Sequence, residues 1–309
     1  SVRKYFSPTD AEGGMRRAMT HEYVRRVRLP VPVEAAFDWH ERPGAFERLN
    51  APWAPVRVLS AAGGIRDGAR VSVRLPGPLP IAWDLEHRDY ERPIRFRDVQ
   101  RRGPFATWDH EHAFERDGPG ACVLTDRVRW ALPLAPLLTP AVGHVTRELD
   151  RRFAWRHRVT LSDLEASRDA GLDPLRIVLA GASGLIGRGL AAFLSAQGHR
   201  VRRLVRRVPC RDDERGWNPA RGEIDPTALV DADVVVNLAG EGLADARWTP
   251  ARRLALVESR VASTRLLAAA IAALPKPPRV FVSASATGIY GDRGDEVLDE
   301  TSATGRGFL

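Results

Sequence analysis

Gly181, Gly184 and Gly187 recur at every third position in a stretch that reads Leu179-Ala180-Gly181-Ala182-Ser183-Gly184-Leu185-Ile186-Gly187. Without a Cβ, such residues let backbone N–H groups close on a phosphate, so the chemistry they offer is pyrophosphate binding. Ser183, Leu185 and Ile186 fill the same turn and are expected beside the nucleotide with them. The flanks supply the elements that this chemistry requires. Ile177, Val178 and Leu179 form a short apolar run after Asp173-Pro174, as a buried parallel strand does. Arg188 to Gln197 carries Leu190, Phe193 and Leu194 at helical spacing, and predicts a helix whose N-terminus faces the anion. The alternative is an ordinary tight turn between a strand and a helix.

A second strand, on Val201, Leu204 and Val205, ends at Arg206 and Arg207. A site for NAD places an acidic residue there, about 20 residues past the glycines, to bond the ribose hydroxyls. No Asp or Glu stands at that point, and a guanidinium fork suits a 2′-phosphate. NADP is therefore the expected cofactor, with NAD the weaker alternative, and Arg206 is the residue expected to read the phosphate. The competing explanation is an arginine-rich chain in which two more arginines mean nothing.

The glycine spacing, with three later segments, resembles the extended short-chain dehydrogenase/reductase family, which includes sugar-nucleotide epimerases and dehydratases. Val234-Val235-Val236-Asn237-Leu238-Ala239-Gly240 matches the family's fourth strand and the turn after it. Val280 to Ser285 matches the fifth strand, and Ile289-Tyr290-Gly291 resembles the family's tyrosine–glycine turn with one residue inserted. A narrower likeness, to an atypical subgroup described as epimerase-like or cell-division-inhibitor-like, rests on four motifs. They are Asn237 to Glu241, Trp248-Thr249, Ser259-Arg260-Val261 and Ser283-Ala284-Ser285. The resemblance implies an NAD(P)-binding Rossmann domain over residues 175–309, with Leu238, Ala239, Gly240 and Ser283 against the cofactor and Ser285 as the catalytic candidate. It also implies a cofactor contact for Arg260, for which a solvated helix face is the alternative. The helix carrying Arg260 is expected from its cap Thr249 and Pro250 to about Ala273, with Leu254, Val257, Val261, Leu267 and Ile271 as its apolar stripe.

Catalytic members of the family use a Tyr-x-x-x-Lys, in which the lysine lowers the phenol pKa for proton exchange near neutral pH. The lysines here are Lys4 and Lys276, neither in such a motif, and the position for the tyrosine falls at or beyond Leu309. The atypical subgroup is itself described as lacking the pair. Residues 305–309 resemble the start of the helix that would carry it. Together with the opening Ser1 and the short length after Leu175, this leads to the expectation of a fragment. It would be incomplete at the C-terminus and inert in the family's usual chemistry even where it binds cofactor.

The first half reads as a separate domain. His21–Leu29 predicts a strand, Val33–Trp39 and Gly44–Leu49 two short helices. Strands follow on Val56–Ser60, Val71–Leu75, Ile81–His87, Ile94–Gln100, Thr107–Glu115 and Cys122–Trp130, and then a helix from about Pro140 to Glu165. This order resembles the α+β helix-grip, or START-like, fold of the polyketide-cyclase superfamily (SRPBCC) over residues 20–166, with 167–174 as a linker to the α/β doubly wound sheet. The resemblance implies a cavity between the long helix and the sheet for a small apolar ligand. Trp108, His110, His112 and Phe114 share one strand face. The two histidines could hold a metal, line that cavity or simply pack. No third ligand is obvious from the sequence, though His87 on another strand could come near, and no metal site is expected.

Composition bounds the rest. The net charge of +8 invites a nucleic-acid reading, but arginine is spread throughout and no aromatic-interleaved basic patch stands out, so no nucleic-acid partner is expected. No apolar run reaches the 18 or so residues of a membrane span, and no signal-peptide core is present, which leads to the expectation of a cytoplasmic protein. Cys122 and Cys210 match no metal spacing and read as reduced thiols. Two functions stay open: an NADP-dependent oxidoreductase or epimerase-like enzyme fed by an apolar-ligand domain, and a non-catalytic NADP-binding regulatory protein linked to cell division.

Overall fold

The computed structural model describes residues 3–4, 20–77, 81–133, 138, 140–171 and 173–306. The last three positions of the helix start expected at 305–309 lie outside them. The chain divides into two compact units, one built mainly from residues up to 172 and one from residue 173 onward.

The first unit runs β1 (Arg3–Lys4), β2 (His21–Leu29), α1 (Val33–Glu41), α2 (Ala45–Arg48), β3 (Arg57–Ala62), β4 (Arg70–Arg74), β5 (Ala82–Glu91), β6 (Arg95–Arg102), β7 (Thr107–Arg116), β8 (Cys122–Ala131) and α3 (Ala141–Ala170). The strands form one antiparallel sheet in the order β1-β2-β8-β7-β6-β5-β4-β3. Helix α3 meets this sheet through residues four apart. At its N-terminal half, Leu149 and Phe153 pack with Tyr23, Trp108, Val128 and Trp130. Near its C-terminal end, Leu164 joins Leu29, Phe37, Trp39, Phe96, Phe114 and Leu124. Side chains of this size each contribute about 1.5–3 kcal/mol when taken fully from water. Between the two apolar patches, His157 of α3 faces the sheet and is buried.

Helix α3 extends to Ala170, so residues 167–170, expected in a linker, are helical. Apolar periodicity ends at Leu164, but Glu165 to Ala170 contains no Gly or Pro. The helix stops only at Gly171, whose φ of 54° is the left-handed cap that glycine adopts without strain.

The second unit runs β9 (Arg176–Ala180), α4 (Leu185–Ala196), β10 (Arg200–Val205), β11 (Glu214–Asn218), β12 (Glu223–Ile224), β13 (Val234–Asn237), α5 (Pro250–Ala272) and β14 (Val280–Ser283). The sheet order is β12-β11-β10-β9-β13-β14, parallel throughout except for β12 at the edge. Alternate residues of β9 serve opposite faces, as strand geometry demands. Ile177 and Leu179 pack with Ala191 and Leu194 of α4, while Val178 and Ala180 pack with Leu267 of α5. The sheet is therefore wound on both faces. From β9 the chain moves outward through β10 and β11, then crosses to β13, which makes the β9/β13 boundary the switch point where such sheets bind ligands.

Two expectations change here. Helix α4 begins at Leu185, not near Arg188, because the turn closes directly into it: the Gly184 N–H donates to the Gly181 carbonyl at 3.0 Å and the Arg188 N–H to the Gly184 carbonyl at 3.0 Å. In α5, Thr249 caps the first turn as expected, accepting from the Arg252 N–H at 3.2 Å. The stripe of its first half is rotated, however. Leu254, Val257 and Val261 are exposed, and the buried positions are Leu256, Ser263 and Leu267. The helix turns Ser263 inward because a buried asparagine on β13 hydrogen-bonds there.

Candidate functional site

The carboxyl ends of β9, β10, β13 and β14 gather most of the residues singled out in the sequence. Gly181 has a φ of 80°, and a Cβ on it would fall 2.6 Å from the Leu238 carbonyl oxygen. A Cβ on Gly187 would fall 2.1 Å from the Gly181 carbonyl oxygen, and one on Gly184 3.3 Å from it. Two backbones thus meet at the switch point at a distance that only glycine permits. Ser183 and Gly184 are exposed in the turn, and Leu185 and Ile186 are 85% and 71% exposed at the first turn of α4, large apolar side chains with no protein cover. The N-terminus of a twelve-residue helix and its free N–H groups open beside them.

The turn after β13 is held from three sides. Asn237 is buried and its Nδ2 donates to Thr264 Oγ1 at 3.1 Å and to Ser263 and Ser283 hydroxyls at 3.4 and 3.5 Å. Its Oδ1 accepts from the Ala239 N–H at 3.1 Å. One side chain thereby joins β13, α5 and β14 and shapes Leu238, Ala239 and Gly240. Arg260 lies against Gly240 and donates to the Glu241 carbonyl at 3.1 Å and the Leu256 carbonyl at 2.9 Å. Exposed on its helix, it clamps the turn through these two carbonyls. Arg252 reaches the Glu241 carboxylate at 3.0 Å.

The two arginines at the end of β10 part company. Arg207 is taken by Glu214 of β11, with a 2.9 Å contact to Oε2. Arg206 is 77% exposed and its nearest carboxylate, Glu241, is 3.9 Å away. Ser283 sits at the end of β14 beside Asn237 and Thr264. Ser285 is exposed two residues on, and no base stands within hydrogen-bond reach of it among the described residues. Tyr290 closes a short helical turn, Thr287–Tyr290, against which Gly305 packs.

A second cluster lies inside the first unit. His110 Nδ1 is 2.9 Å from Asp98 Oδ2, and His110 Nε2 is 2.8 Å from Asp126 Oδ1. His112 Nε2 is 3.6 Å from the same Asp98 oxygen. His112 Nδ1 is 2.8 Å from the same Asp126 oxygen, off the direction of a hydrogen bond. His157 of α3 bonds the other Asp126 oxygen through Nε2. Burial alone would lower the His110 pKa, but Asp98 and Asp126 outweigh it and raise it to about 9. Burial would raise the two carboxyls; the facing imidazoles instead hold both well below the usual carboxylate range. His40, fully buried nearby, is lowered to about 3 by burial and then by His112.

At the middle of α3 the inward positions of β6, β7 and β8 are charged, with Asp98, His110, His112 and Asp126 among them. Sequence reasoning placed His110 and His112 and missed Asp98, Asp126 and His157. A signal was available: Asp126 occupies the inward phase of Leu124-x-Asp126-x-Val128-x-Trp130, all four of which are buried.

A parallel sheet wound on both faces, with a glycine turn forced against the switch point, defines a Rossmann-like dinucleotide domain. Residues 177–307 match the family described as NAD dependent epimerase/dehydratase. Epimerase family protein Mb2239 of Mycobacterium bovis is 46% identical over 133 residues, covering 43% of this chain and 44% of that protein. Epimerase family protein SDR39U1 of Homo sapiens is 33% identical over 136 residues, covering 42% and 43%. The crystal structure of the nucleoside-diphosphate sugar epimerase from Corynebacterium glutamicum superposes with a TM-score of 0.74 at 33% identity, over 93% of this chain and 59% of that one. The chain spans under half the length of the curated relatives it matches. No helix among the described residues is long and apolar enough to cross a membrane.

Proposed function

We propose that the second unit binds NADP along the carboxyl edge of its parallel sheet. In this reading it is an atypical short-chain dehydrogenase/reductase of the epimerase/dehydratase kind, joined to a helix-grip, START-like domain over residues 20–166. The observation that carries this reading is the cradle at the switch point, where Gly181 and Gly187 have no room for a Cβ. Gly181 to Gly187 and the start of α4 bind the pyrophosphate, Leu185 and Ile186 cover the dinucleotide, and Leu238 to Gly240 line it from β13. Arg206 reads the 2′-phosphate, since Arg207 is already committed to Glu214. Bound NADP supplies hydride transfer; the residues here position it, and Arg260 and Asn237 keep the β13 turn in place. The activity is then that of an oxidoreductase or epimerase-like enzyme on an organic substrate.

A non-catalytic NADP-binding role is the second reading, and Ser285, exposed with no base in hydrogen-bond reach among the described residues, is the observation on its side. Fluorescence titration of the chain with NADPH and NADH tests the cofactor reading. NADPH should bind more tightly, and Arg206→Glu should erase most of the difference, a loss of about 10–100-fold for a charged contact to phosphate. Equal affinities in the unaltered chain would contradict it.

A further inference from the structure

The buried cluster of the first unit takes no part in the nucleotide site, and its geometry is that of a ligand set. Asp98, His110 and His112 each offer one ligand atom, and the three atoms lie within 4.8 Å of one another. The sheet register builds this. Asp98 on β6 stands directly across from His110 on β7, and His112 follows two residues later on the same face. On its other side Asp98 is opposite His87 of β5, whose Nδ1 is buried without a hydrogen-bond partner among the described residues.

Orientation separates this cluster from a simple salt bridge. Asp126 Oδ1 hydrogen-bonds His110 Nε2 at 2.8 Å and lies 2.8 Å from His112 Nδ1 without the direction of a hydrogen bond. The remaining nitrogens, His110 Nδ1 and His112 Nε2, are turned together toward one oxygen of Asp98. Imidazoles that ligate metals give their second nitrogen to a carboxylate behind them in the same way, which fixes the tautomer and the ring plane. Asp126 is fixed in turn by His157 from α3. The Asp98 side chain keeps 14% of its surface exposed, against 2% for His110 and 6% for His112.

We propose that Asp98, His110 and His112 bind one divalent transition-metal ion, with Asp126 orienting the two imidazoles. Two imidazole nitrogens and a single carboxylate suit zinc, cobalt, nickel or iron, whereas magnesium and calcium prefer all-oxygen shells. Three protein ligands leave coordination positions open for water or a small oxygen-bearing molecule.

The test uses the full chain stripped with chelator and then titrated with Co(II), followed by its visible absorption, and with Zn(II) by calorimetry. One ion per chain is expected. His112→Gln and Asp98→Asn should abolish stoichiometric binding, Asp126→Asn should weaken it about 10–100-fold, and the exposed His144→Gln should change nothing. A measurement on the unaltered chain makes the result independent of how the variants fold. Zn(II) should shift the imidazole nitrogen resonances of His110 and His112 in long-range proton–nitrogen spectra. Failure to bind one equivalent, or binding that leaves those resonances unmoved, would overturn the proposal. So would folded His112→Gln and Asp98→Asn chains that bind as tightly as the unaltered one.

Discussion

At the scale of the residue, the glycines carry most of the account. A methyl group on Gly187 would have to occupy space 2.1 Å from the Gly181 carbonyl oxygen, and that atom belongs to the backbone and cannot swing away. Gly187→Ala should therefore push α4 from the turn, cost about 1–3 kcal/mol of stability as overpacking does, and remove NADPH binding. Thermal unfolding and fluorescence titration of the variant check both parts, and tight NADPH binding by Gly187→Ala would contradict the cradle. These positions were legible in the sequence because glycine spacing reports a backbone requirement directly. Asp98 was not, since a carboxylate in a strand normally reads as solvent-facing, and its inward direction depends on the phase set by Phe96 two residues before it. The hold of Arg260 on the Glu241 and Leu256 carbonyls was not legible, because a guanidinium that clamps a neighbouring turn carries no signal in one dimension.

At the scale of the element, what could be read followed the strength of the periodic signal. The strands His21–Leu29, Thr107–Arg116 and Cys122–Ala131 carry alternating or apolar patterns and fall within a residue or so of their expected bounds. Strand β11, Glu-Arg-Gly-Trp-Asn, offers one large apolar side chain, Trp217, and no alternation to see. It is held by a contact that no local pattern announces. Glu214 is buried, accepts from Arg207 and from the Cys210 N–H, and its pKa is lowered to about 2, first by Arg207 and then by that N–H. A lowered carboxyl stabilises the folded state above its unfolded pKa, and the gain is lost as pH falls through the folded one. Ion-pair support for β11 should therefore be complete above about pH 4.5 and should disappear as pH falls toward 2. Acid unfolding of the chain should show this limb, and Glu214→Gln should flatten it while lowering stability at neutral pH. A variant with the same acid slope as the unaltered chain would assign the limb to other carboxyls.

At the scale of the whole molecule, the two units present two different kinds of site. The parallel sheet offers an open edge at its switch point, lined by backbone and by exposed Leu185 and Ile186. The antiparallel unit encloses a polar cluster between two apolar patches along α3. The parallel, doubly wound sheet of the second half was legible because element order and turn chemistry agree there, and the strand-rich first half with its long closing helix was legible as an element order. The character of the interior was not, because it depends on which inward positions meet across three strands and one helix. The central claim is that NADP lies along the carboxyl edge of the parallel sheet, and hydrogen exchange of the full chain with and without NADPH tests it most directly. The account predicts new amide protection at 181–187 and 238–241, with little change on β6 to β8. Protection confined to the first unit, or none anywhere at saturating NADPH, would contradict it.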